Sequence, residues 1–287
     1  NLVADVSHGG GAGFQAGSTF KVFTLAAALE EGMRFGDGFE VGGAYQASSY
    51  STFRNCNGDR VGDPKHVVRN ASGEGGGGFK NLQTGTWGSV NTFFMKLQER
   101  VGLCNVVKMA KRLGIKRADG KKLGEYETFT LGFNEMDPVT VASAYATFGA
   151  RGKYCKPMAI TSVTFRNGKT IEFEPDCKQV LEAEVADAVN HILSGVFTKG
   201  TMSGVGGIGR DAAGKTGTTD EYRAAWFAGY TPDLAAAVSI GDPRGSYKHP
   251  LRNVVIGGRY YGVVFGASIA GPIWKQTMLR ALSGTPA

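Results

Sequence analysis

A serine and a lysine three residues apart, Ser18 and Lys21, open a run that is apolar nearly all round: Phe20, Val22, Phe23, Leu25, Ala26, Ala27, Ala28 and Leu29. The pattern predicts a helix over 18–31, ended by Gly32. On a helix, positions i and i+3 share a face about one turn apart, so the hydroxyl and the amine can meet. Ser18 also stands at the helix start, where unpaired N–H groups and the dipole stabilise a developing anion. A helix apolar on every side is a buried one. Burial disfavours the charged form of Lys21 and leaves an amine able to take the serine proton. A simple N-cap accounts for Ser18 taken alone. It does not account for a lysine inside such a helix, which is costly without a partner or a task.

Two further short motifs carry polar chemistry. Ser89-Val90-Asn91 stands just before a second helical region and offers a hydroxyl for proton relay and an amide for a backbone carbonyl. By itself it reads equally well as a helix cap. Lys215-Thr216-Gly217-Thr218-Thr219 reads as a strand, with threonines that favour one and a glycine that lets another backbone come close. A peptide could lie along it as an added strand, with Lys215 and the threonine hydroxyls facing a carboxylate. The competing readings are a polar turn and a nucleotide site. Gly209-Arg210-Asp211-Ala212-Ala213-Gly214-Lys215-Thr216 fits the P-loop pattern, and Gly204 to Gly209 fits G-x-G-x-x-G. Both patterns require a strand before and a helix after. Here a glycine-rich stretch precedes and a strand pattern follows.

These residues need a scaffold. The buried helix over 18–31 forms its centre. Residues 32–87 are irregular, rich in Gly, Ser and Asn, with a glycine cluster at 75–78, and predict a loop-rich lobe. Helices are expected over 92–113, 138–148, 182–196 and 272–282. Strands are expected over 159–165 and 170–173 around Asn167-Gly168, over 224–230 and 234–240 around Pro232, and over 254–256 and 263–267. Helices first and antiparallel strands last predict an α+β fold, an antiparallel sheet flanked by helices with the lobe around the site.

The 287 residues, 42% of them hydrophobic, suffice for one large core, and a charged content of 20% argues against disorder. The net charge of +7 is spread along the chain without a basic run interleaved with aromatics, which argues against nucleic-acid binding. No apolar run approaches the roughly 18–20 residues that span a bilayer. Cys56, Cys104, Cys155 and Cys177 form no C-x-x-C pair and have no histidine at zinc-ligand spacing. No metal or cofactor is expected. An even count fits two disulfides in an oxidising compartment, with three pairings open; four buried thiols are the alternative.

Ser-x-x-Lys, Ser-x-Asn and Lys-Thr-Gly in this order resemble the motif set of penicillin-binding proteins and serine β-lactamases, with Val90 where the β-lactamase form has Asp. The flanks resemble more narrowly the transpeptidase domain of class A bifunctional penicillin-binding proteins. They are residues 15–21, 142–148, 214–220, 223–233 and 271–275, and the likeness runs from Asn1 to about Leu282. The cysteines and glycine-rich segments are most similar to actinobacterial members.

The resemblance implies a peptidoglycan D,D-transpeptidase on the extracytoplasmic face of the bacterial cytoplasmic membrane, acting on stem peptides that end in D-Ala-D-Ala and acylated by β-lactams. Ser18 would be the nucleophile, Lys21 its base and Ser89 the proton relay. Asn91 would hold the acyl-side amide and Lys215 would keep the site electropositive. Thr216 and Thr218, flanking Gly217, would bind the terminal carboxylate, and the N–H groups of Ser18 and Thr218 would form the oxyanion hole. No Glu-x-x-x-Asn segment is placed as in class A β-lactamases; residues 184–190 have the wrong spacing. A long-lived acyl-enzyme, and so a transpeptidase, is expected. A D,D-carboxypeptidase and a β-lactam-sensing receptor domain are the nearest alternatives. Within this frame Cys56 pairs with Cys104 and Cys155 with Cys177. Only 17 residues precede Ser18, so residues 1–287 are expected to be a transpeptidase domain whose N-terminal strands come from another fragment of the parent protein. A glycosyltransferase domain and membrane anchor would lie upstream.

Overall fold

The computed structural model of the chain describes residues 12–71 and 77–286. The apolar run after Ser18 lies at its centre. Gly17–Phe20 forms a single 3-10 turn, and Lys21–Glu30 continues as α1 with every residue from Lys21 to Leu29 buried. Ser18 therefore sits in a tighter turn than the expected α-helix, and Lys21 is the first residue of the helix proper. A helix with no polar face must be wrapped on all sides. α1 packs on α2 (Leu82–Trp87), α3 (Asn91–Val101), α4 (Leu103–Arg112) and α6 (Ala183–Ser194). The helical region expected over 92–113 consists of two helices, divided at Gly102 with φ 84°. α5 (Pro138–Gly149) begins as its sequence dictates, with Asp137 accepting the Thr140 N–H and Pro at the first helical position.

Most strands come as short antiparallel pairs. β1 (Phe14–Gln15) meets β6 (Glu135–Met136). In the lobe, β2 (Gly38–Val41) meets β5 (Gly78–Asn81), and β3 (Ala44–Gln46) meets β4 (Val67–Arg69). Part of the expected glycine cluster, Gly75 and Gly76, lies outside the described residues. β7 (Lys153–Cys155) meets β10 (Cys177–Gln179) with Cys155 directly opposite Cys177, and the two form a disulfide; β8 (Ser162–Thr164) and β9 (Thr170–Glu172) make the hairpin between them. A second disulfide joins Cys56 of the lobe to Cys104 of α4.

The sheet that carries the third motif has three strands in the order β11 (Ala213–Thr218), β12 (Ala224–Tyr230) and β13 (Ala235–Gly241), all antiparallel. β12 is buried along its whole length. α5 and α7 (Ala270–Ala281) pack on β12 and β13, and the Trp274 indole of α7 donates to the Gly229 carbonyl at 3.1 Å. Beyond the sheet, β14 (Arg252–Ile256) pairs with β15 (Arg259–Val263). The strand expected over 263–267 thus lies four residues earlier, because Gly257 and Gly258, both at positive φ, make the turn.

Candidate active site

Glycines bring the three motifs together. Gly17, at φ 57°, presses on β11: a Cβ there would lie 2.8 Å from the Thr218 carbonyl oxygen and 3.0 Å from its nitrogen. From the strand side, a Cβ on Gly217 would lie 2.5 Å from the Ala16 carbonyl oxygen. The close approach foreseen at Gly217 is therefore made by the chain's own turn before Ser18. Gly132, at φ 70°, supports that turn from behind and accepts the Gly17 N–H at 3.0 Å. Ser18 is left with 8% of its surface exposed, opening into a cleft of about 1140 Å³. Ser89, Asn91, Thr216 and Thr218 line the same cleft.

Behind Ser18 lie two fully buried lysines. A buried amine is costly unless its hydrogen-bonding groups are met, and both are met. Lys21 Nζ donates to the Ser89 carbonyl, reaches Asn91 Oδ1 at 2.6 Å, and lies 3.2 Å from Ser89 Oγ. Lys215 Nζ donates to the same Ser89 Oγ at 2.6 Å and to the Thr216 carbonyl at 3.3 Å. The Ser89 hydroxyl thus stands between two amines. Its backbone is held at φ 55°, a region a serine seldom enters, by the turn after α2, where Ser89 N–H bonds the Thr86 carbonyl at 3.1 Å.

Asn91 is the first residue of α3, and its amide is occupied on both ends: Oδ1 by Lys21, Nδ2 by the Arg69 carbonyl at 2.9 Å. A substrate carbonyl arriving at Asn91 has to share or displace the bond to Arg69. Thr216 Oγ1 lies 2.7 Å from Thr201 Oγ1, and Thr218 Oγ1 accepts the Gly266 N–H at 3.1 Å.

Two contributors lie outside the three motifs. Tyr145, buried in α5, donates its hydroxyl to the Thr19 carbonyl at 2.8 Å and so pins the turn that holds Ser18 to the helix behind it. Burial, with Tyr230 adding to it, pushes that phenol well above its usual range, so it stays a donor. Thr201 lies in the segment after α6, at the head of a glycine-rich stretch. The P-loop reading fails on the strand itself: Lys215 is buried within β11, and a short 3-10 turn leading into the next strand follows, not an α-helix. Among the described residues no cluster of His, Cys, Asp or Glu could hold a metal ion.

Residues 12–256 match the family model for the penicillin binding protein transpeptidase domain. The chain is 31% identical to penicillin-binding protein 1A of Mycolicibacterium smegmatis, over 96% of this chain and 34% of the relative. It is 32% identical to penicillin-binding protein 1A of Mycobacterium tuberculosis, over 96% of this chain and 33% of the relative. The chain thus spans about a third of the length of these curated relatives. Its fold is similar to the structure of the penicillin-binding protein PonA1 from Mycobacterium tuberculosis, with a TM-score of 0.77 at 30% identity over 96% of this chain and 70% of that one. The structure of the same protein in complex with penicillin V gives 0.74 at 30% identity, over 96% of this chain and 71% of that one. Motifs that converge on one cleft, a fold shared at this level and a family model covering most of the chain lead to one conclusion: the chain belongs to the penicillin-binding-protein transpeptidase family.

Proposed function

We propose that this chain is a serine D,D-transpeptidase domain that cross-links peptidoglycan stem peptides and is acylated by β-lactams. The observation that carries the reading is the Ser89 hydroxyl set between two buried amines, 2.6 Å from Lys215 and 3.2 Å from Lys21, in the cleft that holds Ser18. The Ser89 carbonyl and Asn91 Oδ1 can only accept from Lys21, whereas the Ser89 hydroxyl between the amines can both give and take a proton. Burial and the second amine disfavour a second positive charge at the same place.

The chemistry follows. Ser18 Oγ attacks the penultimate D-Ala carbonyl as Lys21 takes its proton. The backbone N–H groups of Ser18 and Thr218, on segments that Gly17 lets approach closely, receive the oxyanion; such donors are worth about 3–4 kcal/mol in the transition state. Ser89 passes a proton to the leaving D-Ala nitrogen, and the acyl-enzyme is captured by an amine. Thr216 and Thr218 hold the terminal carboxylate, and Asn91 faces the acyl-side amide once its bond to Arg69 yields. Among the described residues β11 pairs with β12 alone, and its other edge can offer backbone groups to the peptide. The resemblance to mycobacterial relatives supports an extracytoplasmic setting, at the cell-wall side of the membrane. No helix among the described residues is long and apolar enough to cross a bilayer.

Incubating the chain with a pentapeptide ending in D-Ala-D-Ala and a primary-amine acceptor tests this. We expect one D-Ala released and one new amide formed, neither of them with Ser18→Ala. Hydrolysis without amide formation would make it a carboxypeptidase; acylation by penicillin with neither product would make it a sensor.

β13 pairs on one side only among the described residues, and its seven residues are half-buried. An edge of this kind accepts a strand, and we infer that a segment of the parent protein adds there. Amide exchange along β13 would be slower in the longer protein than in this chain, and equal rates would remove the inference.

A further inference from the structure

We infer that Thr201 is a positioning residue that sets the Thr216 hydroxyl to donate to the substrate carboxylate; the inference rests on the acyl-transfer reading above. Thr201 lines the same cleft as Ser18 and Thr216. Its Oγ1 lies 2.7 Å from Thr216 Oγ1. Its backbone N–H donates to the Trp87 carbonyl at 3.1 Å, two residues before Ser89. Gly200 makes that approach possible, since a Cβ there would lie 2.7 Å from the same carbonyl oxygen. Thr201 is thereby fixed to the loop of the second motif while its side chain reaches the strand of the third.

The direction of the hydroxyl pair follows from the ligand. A carboxylate can only accept, so Thr216 must donate its single proton to it. The bond between the hydroxyls then runs from Thr201 O–H to Thr216 Oγ1. Thr218 shows the same arrangement, with its oxygen already accepting from Gly266 N–H and its own proton left for the ligand. Each hydroxyl that faces the carboxylate therefore has one lone pair filled from inside the protein. A hydroxyl fixed in this way has no competing rotor to give up on binding, and donation into its oxygen strengthens the proton it offers. Without Thr201, the Thr216 proton is free to turn away.

A double-mutant cycle on the acylation rate with benzylpenicillin tests this. Thr201→Val and Thr201→Ala remove the hydroxyl and are expected to slow acylation about three- to tenfold, the loss of one neutral hydrogen bond, while Thr201→Ser stays within about twofold of the parent chain. Thr216→Val is slow by itself, and adding Thr201→Val to it costs nothing further, because the residue acts through the hydroxyl already removed. Additive losses, no loss in the Val and Ala variants, or a Ser variant as slow as Ala would overturn the inference. A parent chain that benzylpenicillin does not acylate at all would instead remove the acyl-transfer reading, and Thr201's role with it.

Discussion

Lys21→Met is expected to lower the rate of acylation by benzylpenicillin by a factor of about 10²–10⁴, the range a positioned general base supplies. Methionine keeps the unbranched shape that fills the space beside Phe94, whose ring centre is 5.5 Å from Lys21 Nζ. It cannot bond the Ser89 carbonyl or Asn91 Oδ1, both of which the lysine serves. Each buried acceptor left without a donor costs about 1–3 kcal/mol. A lower melting temperature should therefore accompany the loss, and the rate is to be compared where both proteins are folded. Stopped-flow acylation measures it. A variant within tenfold of the parent rate would mean that another group takes the Ser18 proton.

Gly132→Ala should reduce the same rate by about 10²-fold or more, although residue 132 touches no substrate, because misplacing a reacting group by about 1 Å costs that much. An alanine Cβ at 132 would lie 2.1 Å from the Gly17 carbonyl oxygen and 2.7 Å from its nitrogen. Neither atom is the end of a flexible side chain, so the turn that holds Ser18 must move. Gly120 supplies the control. It has a similar φ, 74°, with nothing within 4 Å of its Cβ position. Gly120→Ala therefore meets only the left-handed strain, about 1–2 kcal/mol, and should acylate at the parent rate. Equal rates for the two variants would show that the contact between Gly132 and Gly17 does not position the nucleophile.

The chemistry was more legible in the sequence than the geometry that holds it. Ser18, Lys21, Ser89, Asn91, Lys215, Thr216 and Thr218 stand in short motifs, and their order along the chain carries the family likeness. The buried character of α1 was legible because no polar stripe interrupts Phe20 to Leu29. The conformation of Ser18 was not, since a 3-10 turn and a first α-turn share the same i, i+3 spacing. The break between α3 and α4 depends on one glycine, Gly102, within an otherwise helical pattern, and periodicity passes over such a position. β15 was misplaced toward the apolar Val263–Val264 run, whereas its strand residues, Arg259 to Val263, are half-exposed or exposed. Thr201 lay outside every motif, and Tyr145, though within the family-like stretch 142–148, gave no sign of its contact, because each acts on a neighbour removed in sequence: Thr201 on Thr216, and Tyr145 on the Thr19 carbonyl 126 residues away. The disulfides stand apart again. The residues alone left three pairings open, and only the family likeness chose among them.

On the proposed function, Ser18 Oγ is the atom acylated. Mass spectrometry of a digest after brief treatment with benzylpenicillin tests it most directly. One penicilloyl group is expected on the peptide that contains Ser18, and none on any peptide of Ser18→Ala. An adduct carried by Ser89 or Thr216 with Ser18 unmodified would contradict it.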